Sequence, residues 1–181
     1  HQTIAEHPLV GCCSGIYQQP IPKQYEVRVT VFGSACFASK LFSQSSAETE
    51  TDWRRGQSTM RNEPMEVPET IARQCSRFLA EMGLLMGCFD FVVTPDDEWV
   101  FLECNEQGQW LWQEQNCPEI HLLDAFSQFV LRPSGDFKYE KDGGIRFDSY
   151  IRERWQEDME FARTRNVINP GYFFRPEETA A

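Results

Sequence analysis

Histidine is scarce in this chain of 181 residues, and its cysteines are not spaced as metal-binding pairs. With only three histidines, neither a histidine-rich metal site nor a Ser-His-Asp triad is expected, and no GxSxG motif marks a nucleophilic serine. The seven cysteines are odd in number, and none forms a CxxC pair. Because most of them lie within apolar runs, they indicate buried free thiols of a cytoplasmic protein rather than disulfides.

Basic residues and long apolar runs are also few. Lys and Arg number 17 against 28 Asp and Glu, and the net charge of −11 disfavours nucleic acids and anionic membranes as partners. No run approaches the length of a bilayer span, and no signal segment opens the chain. The chain begins with His1, which indicates a processed start or an excised fragment. Its 41% of hydrophobic residues suit one domain core.

Alternating and helical patterns predict an α+β fold, an antiparallel sheet covered by helices. The predicted strands are 25–32, 35–42, 88–93 and 99–104. The predicted helices are 67–83, 118–131 and 147–166. Gly33 and Ser34 suit a tight turn between the first two strands. The polar segment 43–64 is predicted to be a functional or mobile loop.

Polar side chains interrupt the last predicted strand near its end. Residues two apart in a strand share a face, so Glu103 and Asn105 point to the same side. In a hairpin with Val93 opposite Val100, Asp90 lies opposite Glu103. Two opposed carboxylates repel each other, and a cation bound by them and an amide oxygen removes that penalty; such ligands suit Mg²⁺ or Mn²⁺. The alternative is a solvated sheet face without function, since a one-residue slip separates the pair.

Four segments, taken in order, resemble the C-terminal half of ATP-grasp ligases. They are YQQPIPKQYEVRVTVFG (17–33), DWR (52–54), MGCFDFVV (86–93) and FLECNEQGQWLWQEQ (101–115). The resemblance covers about residues 17–130 and is greatest for the group of microviridin-type peptide ligases and ribosomal-protein glutamate ligases. It implies an ATP- and Mg²⁺-dependent ligase that activates a carboxylate as an acyl phosphate for attack by an amine or a hydroxyl. The substrate is then a peptide or a small carboxylate.

The resemblance also implies roles for individual residues. Asp90, Glu103 and Asn105 match the ligands of a magnesium ion that carries the ATP phosphates. Arg28 and Arg54 match arginines that hold the substrate carboxylate and neutralise charge on the transferred phosphoryl group. An ion pair within the sheet for Arg28 and a solvated loop charge for Arg54 are the alternatives.

The segment QQPI matches the hinge that lines the adenine pocket. The implied nucleotide contacts are Gln19, Pro20 and Ile21, with Lys23 as a ribose or phosphate contact or a surface lysine. Trp110 and Trp112 are expected to pack in the core or to line a substrate groove. Where the family often has proline after the metal-binding asparagine, this chain has Glu106, another carboxylate beside the predicted metal.

The resemblance divides the chain into three parts. Residues 1–16 are a remnant of the preceding ATP-grasp subdomain, 17–131 are the C-terminal subdomain, and 132–181 are an extension with one helix. The phosphate-covering loop and nucleotide-binding lysines of the family are not recognised here. We therefore expect no ATP turnover by this chain without a missing N-terminal half or a partner chain. The alternative function is a non-catalytic module, derived from an ATP-grasp protein, that binds a peptide or a nucleotide.

Overall fold

A five-stranded antiparallel sheet organises the computed structural model of this chain, which describes residue 12 and residues 18–56, 60–141 and 144–164. The strands are β1 (Tyr25–Phe32), β2 (Ala35–Leu41), β3 (Asn62–Met65), β4 (Met86–Val93) and β5 (Trp99–Asn105). The helices are α1 (Glu69–Met82), α2 (Leu111–Asn116), α3 (Leu122–Leu131), α4 (Phe147–Glu153) and α5 (Trp155–Thr164). The strand order is β3-β2-β1-β4-β5, and every neighbouring pair is antiparallel. The predicted α+β fold is confirmed.

Helix α1 covers one face of the sheet. Alternation in β1 directs Val27, Val29 and Val31 to this face, where they pack with the buried side of the helix. Ile71, Cys75 and Leu79 form that side, whereas Met82, which the spacing also predicts there, is 62% exposed. Met82 is the last residue of the helix, and Gly83 caps the C-terminus in the left-handed conformation.

Helix α3 and the segment after it cover part of the opposite face. Phe32 is fully buried there and stacks on Phe129 of α3 at 5.6 Å between ring centroids. Phe137 packs edge-on against Phe129 at 5.4 Å, and its carbonyl accepts hydrogen bonds from the backbone and the hydroxyl of Ser34. The segment predicted to begin an extension at residue 132 therefore shares a core with the sheet.

One strand and one helix of the described structure have no counterpart in the sequence prediction. Strand β3 begins within the segment 43–64, which was expected to be a loop, ends at Met65, and pairs with the outer edge of β2. Its sequence, Asn-Glu-Pro-Met, has little strand propensity, but Pro64 is tolerated because β3 is an edge strand. Helix α2 is short and polar, without a helical apolar pattern, and is held by side-chain contacts with the sheet.

The remaining helices differ from prediction in their limits. Helix α3 begins at Leu122 rather than residue 118. The single helix expected over 147–166 is two helices, α4 and α5, with Arg154 between them at φ −121°, and residues 165 and 166 of the prediction lie outside the described residues. No glycine or proline interrupts this sequence, so helix propensity alone does not mark the break. Within the described segments, no helix is both long enough and apolar enough to cross a membrane.

Candidate metal and carboxylate site

A β-bulge in the β4–β5 hairpin brings two carboxylates to one face of the sheet. Near the turn Val93 pairs with Trp99, which corrects the predicted pairing of Val93 with Val100. Continued without a shift, this register would place Leu102 opposite Asp90. The register changes by one residue between Asp90 and Phe91, so that Asp90 lies opposite Glu103, as predicted. The bulge therefore decides the pairing of the two carboxylates.

The two carboxylates share one hydrogen-bond donor but differ in environment. The side-chain nitrogen of Asn105 donates to Asp90 Oδ2 at 3.4 Å and to Glu103 Oε1 at 3.3 Å. Asp90 is 5% exposed, and burial raises the pKa of its carboxyl against the lowering effect of Arg28. The hydrogen bond from Asn105 lowers the pKa of Glu103, whose side chain is 50% exposed. The site thus combines a buried carboxylate with an accessible one.

Arg28 places a buried positive charge beside this pair. It lies in β1 opposite Asp90 of β4, and its Nη1 is 2.6 Å from Asp90 Oδ2. Its Nη2 donates to the backbone carbonyl of Gln109 at 3.4 Å. Arg28 is 4% exposed, and its Nε–H has no hydrogen-bond partner among the described residues. The arginine predicted on the polar face of β1 is therefore part of the carboxylate cluster.

Arg54 reaches the same cluster from the segment 43–64. It belongs to a 3₁₀ turn, Trp53–Gly56, in which the carboxylate of Asp52 accepts the backbone N–H of Arg54. Its Nη2 lies 3.0 Å from Glu103 Oε1 and 3.8 Å from Asp90 Oδ2. Its side chain is 54% exposed. The structure thus joins all five residues predicted for the metal and the substrate carboxylate.

A cavity of about 680 Å³ opens beside the cluster. Arg28, Arg54 and Asn105 line it, together with the loop Glu106–Gln109. Trp53 and Trp112 also line it, and their rings lie 4.8 Å apart. Trp112 is therefore a wall residue, whereas Trp110 packs edge-on against Phe32 in the core at 5.5 Å.

Gln113 is a supporting residue that the sequence analysis did not identify. It is fully buried and donates to the carbonyl of Arg28 and to the hydroxyl of Ser39, while it accepts from Thr30 at 2.5 Å. These bonds fix α2, and with it Trp112, against the sheet beneath Arg28. The only signal in the sequence is a polar residue directly after Trp110 and Trp112.

The predicted nucleotide-binding segment lies before β1. Gln19 and Pro20 are exposed, Ile21 is half-buried, and none of the three lines the cavity. Lys23 Nζ is 2.7 Å from the carboxylate of Glu26, a residue that the sequence analysis did not single out. Glu26 lies on the same face of β1 as Arg28, so this ion pair extends the row of charged residues along that face.

The arrangement fits a hard divalent cation. Among the described residues no group of three or more His, Cys, Asp or Glu side chains could hold a metal ion, so a site here depends on two carboxylates and an amide. Asp90 and Glu103 lie on directly opposed strand positions, and Asn105 follows two residues further along β5. The side-chain amide of Asn105 donates its N–H to both carboxylates and would turn its oxygen towards a bound cation, so that all three ligands would be oxygen atoms. Such a set suits Mg²⁺, which is bound by few protein oxygens and keeps sites for water and phosphate.

Solved structures similar to this chain include ATP-grasp ligases. One is a RiPP-associated ATP-grasp ligase from Chryseobacterium gregarium, in complex with ADP and a leader and core peptide. It is 31% identical to this chain, and the match covers 54% of this chain and 30% of the ligase, with a TM-score of 0.50. The macrocyclase MdnB from Microcystis aeruginosa MRC is 30% identical over 67% of this chain and 41% of its own, with a TM-score of 0.48. The ATP-grasp ligase PsnB, complexed with a phosphomimetic variant of a minimal precursor, Mg and ADP, is 19% identical over 63% and 34%, with a TM-score of 0.51.

The resemblance seen in the sequence is thereby confirmed. This chain has the fold of the C-terminal part of an ATP-grasp ligase and is similar to RiPP-associated members of that group. It spans 30%, 41% and 34% of the three similar proteins, which is well under half of each. No family model and no curated protein sequence matches the chain.

Proposed function

We propose that this chain supplies the metal-binding and carboxylate-binding side of an ATP- and Mg²⁺-dependent ligase. The ligase activates a carboxylate as an acyl phosphate, which an amine or a hydroxyl then attacks. The observation that carries the proposal is the convergence of five side chains on one sheet face, beside the cavity. They are Arg28, Arg54, Asp90, Glu103 and Asn105.

The metal is assigned to the carboxylate pair. Asp90, Glu103 and Asn105 would hold Mg²⁺, or Mn²⁺ in its place, and the ion would carry the ATP phosphates and neutralise their charge. Support comes from the opposed carboxylates and from similar structures that contain ADP and Mg. The adenine side of the nucleotide is assigned to Gln19, Pro20 and Ile21. Lys23 contacts the ribose or phosphate only when it leaves Glu26.

The substrate carboxylate is assigned to the arginines. Arg28 is fixed by Asp90 and has an N–H without a partner among the described residues, while Arg54 is exposed at the cavity rim. Guanidinium groups hold carboxylates in a defined orientation and stabilise charge that develops on the phosphoryl oxygens. A peptide substrate is proposed because the similar ligase from C. gregarium is described with a leader and core peptide. The wall of Trp53 and Trp112 would contact that peptide.

We also propose that this chain by itself does not turn over ATP. Glu103 and Arg54 are each about half exposed, so water reaches one side of the cluster and screens its interactions with phosphate. A second wall, from a further segment or a partner chain, would exclude that water.

The described cysteines are all free, which fits a protein of the reducing cytoplasm.

Calorimetric titration of the chain with ADP in the presence of Mg²⁺ tests the binding role. We expect binding that requires Mg²⁺ and is lost in Glu103→Gln but kept in Glu98→Gln, a control on the exposed turn at the other end of the same hairpin. Binding that survives both Glu103→Gln and removal of Mg²⁺ would contradict the metal assignment. Phosphate release with ATP and a panel of carboxylate and amine substrates then separates a ligase part from a binding module. Substrate-dependent release by this chain, abolished by Glu103→Gln, would show that no second wall is needed.

A further inference from the structure

The guanidinium of Arg54 lies against the same two oxygen atoms that face each other in the carboxylate pair. Its Nη2 is 3.0 Å from Glu103 Oε1 and 3.8 Å from Asp90 Oδ2. The amide of Asn105 donates to these same two atoms, at 3.3 and 3.4 Å. Arg54 therefore spans the gap between the carboxylates from the cavity side.

A divalent cation bound between Glu103 Oε1 and Asp90 Oδ2 would lie in the gap that Arg54 Nη2 spans from the cavity side. Mg²⁺ binds oxygen at about 2.0–2.1 Å, so Arg54 Nη2 could not keep its place over this gap, whereas Arg28 contacts only Asp90, from within the sheet. The two positive charges also repel each other at this distance. Arg54 and the metal are therefore alternative partners of Glu103.

Arg28 differs from Arg54 in this respect. Its side chain is 5% exposed, and it contacts Asp90 from within the sheet at 2.6 Å. Arg54 is 54% exposed and is carried by a short 3₁₀ turn at the cavity rim, so its side chain can leave Glu103 without a change in the sheet. One arginine is a fixed partner of the pair, and the other is free to exchange.

We propose that Arg54 is a built-in competitor of the metal, which displaces it from Glu103 and so releases its guanidinium into the cavity. The inference rests on the proposed function, because it requires a cation between Asp90 and Glu103. It links occupancy of the metal site to the availability of a positive charge for an anionic substrate. Without metal, Arg54 stays paired with Glu103. With metal bound, the guanidinium of Arg54 is released into the cavity, where an anionic substrate can bind it.

Binding of Mn²⁺ to the 181-residue chain, measured from the electron paramagnetic resonance signal of the free ion, tests this competition. Arg54→Gln should bind Mn²⁺ more tightly than the wild type by roughly two- to fivefold, the size of an exposed ion pair. Arg54→Lys keeps the charge and should stay close to the wild type. Arg55→Gln is the matched control, because Arg55 is exposed in the same turn and has no ion pair with any described residue. The difference between Arg54→Gln and the wild type should shrink at about 1 M salt, where exposed charges are screened.

The outcomes separate this inference from the proposed function. Wild-type binding that is lost in Glu103→Gln but unchanged or weakened in Arg54→Gln would overturn the competition and leave the metal site standing. Equal tightening in Arg54→Gln and Arg55→Gln would also overturn it, because the effect would then be one of net charge. Absence of Mn²⁺ binding to the wild type would refute the metal assignment and the competition together. Unfolding midpoints within error of the wild type would show that the exposed substitutions left the fold intact.

Discussion

Loss of the Arg28 guanidinium should destabilise this protein strongly. Arg28 and Asp90 are 4% and 5% exposed, and their charged atoms are 2.6 Å apart. Arg28→Met keeps an unbranched stem of similar length but leaves Asp90 buried without its main counter-charge, because Arg54 is 3.8 Å away and exposed. Breaking a buried ion pair in this way costs about 3–5 kcal/mol.

Exposed ion pairs provide the comparison. Arg61 contacts Glu63, and the two side chains are 69% and 42% exposed. Arg61→Met should therefore cost no more than about 1 kcal/mol. The double variant Arg28→Met, Asp90→Asn removes the orphaned charge and should recover a large part of the loss, since an amide is less costly to bury than a carboxylate.

Urea unfolding followed by circular dichroism at pH 7 measures these free energies. The midpoints are comparable if the dependence on urea concentration is the same for all variants. The reasoning about the buried pair is refuted if Arg28→Met loses no more stability than Arg61→Met. It is also refuted if the double variant is less stable than Arg28→Met alone.

Three further predictions concern the loop, the core and the thiols. In Gly108→Ala the new Cβ would lie 2.2 Å from Cys88 Sγ at a φ of +26°, so the variant should lose about 1–3 kcal/mol in urea unfolding; unchanged stability would show that the loop does not rest on Cys88. Phe137→Ala should lose about 3–5 kcal/mol by the same measurement, because the ring fills a shared core; a loss below 1 kcal/mol would make the segment after residue 132 a separate appendage. Burial raises the pKa of Cys104 to about 11, so at pH 8 iodoacetamide should modify exposed Cys12 before Cys104, and labelling of Cys104 should accelerate as the pH rises towards 11. Peptide mass mapping measures the two rates, and equal rates at pH 8 would contradict this prediction.

The strands of the site are predictable from the sequence because their signals are local. Alternation in β1 fixes which side chains share its faces, and Gly33 and Ser34 suit the two-residue turn that follows. The same alternation put Glu103 and Asn105 on one face, and the structure agrees. These features depend only on the period of a strand and on neighbouring residues.

Other features depend on contacts between distant segments. Strand β3 exists because β2 offers an open edge, and α2 exists because Gln113 is bonded to two strands of the sheet, so neither has a strong local signal. The position of Arg54 is set by the 3₁₀ turn and by Glu103, 49 residues further along the chain.

The carboxylate pair shows the division most clearly. By itself, the sequence determined that Asp90 and Glu103 lie in adjacent predicted strands, and that Glu103 shares its face with Asn105. It did not determine the register, because any shift by one residue preserves the alternation within each strand while it reverses the face. Only the tertiary structure decided that, through the bulge at Leu102, where the chain accommodates one extra residue and turns Glu103 towards Asp90.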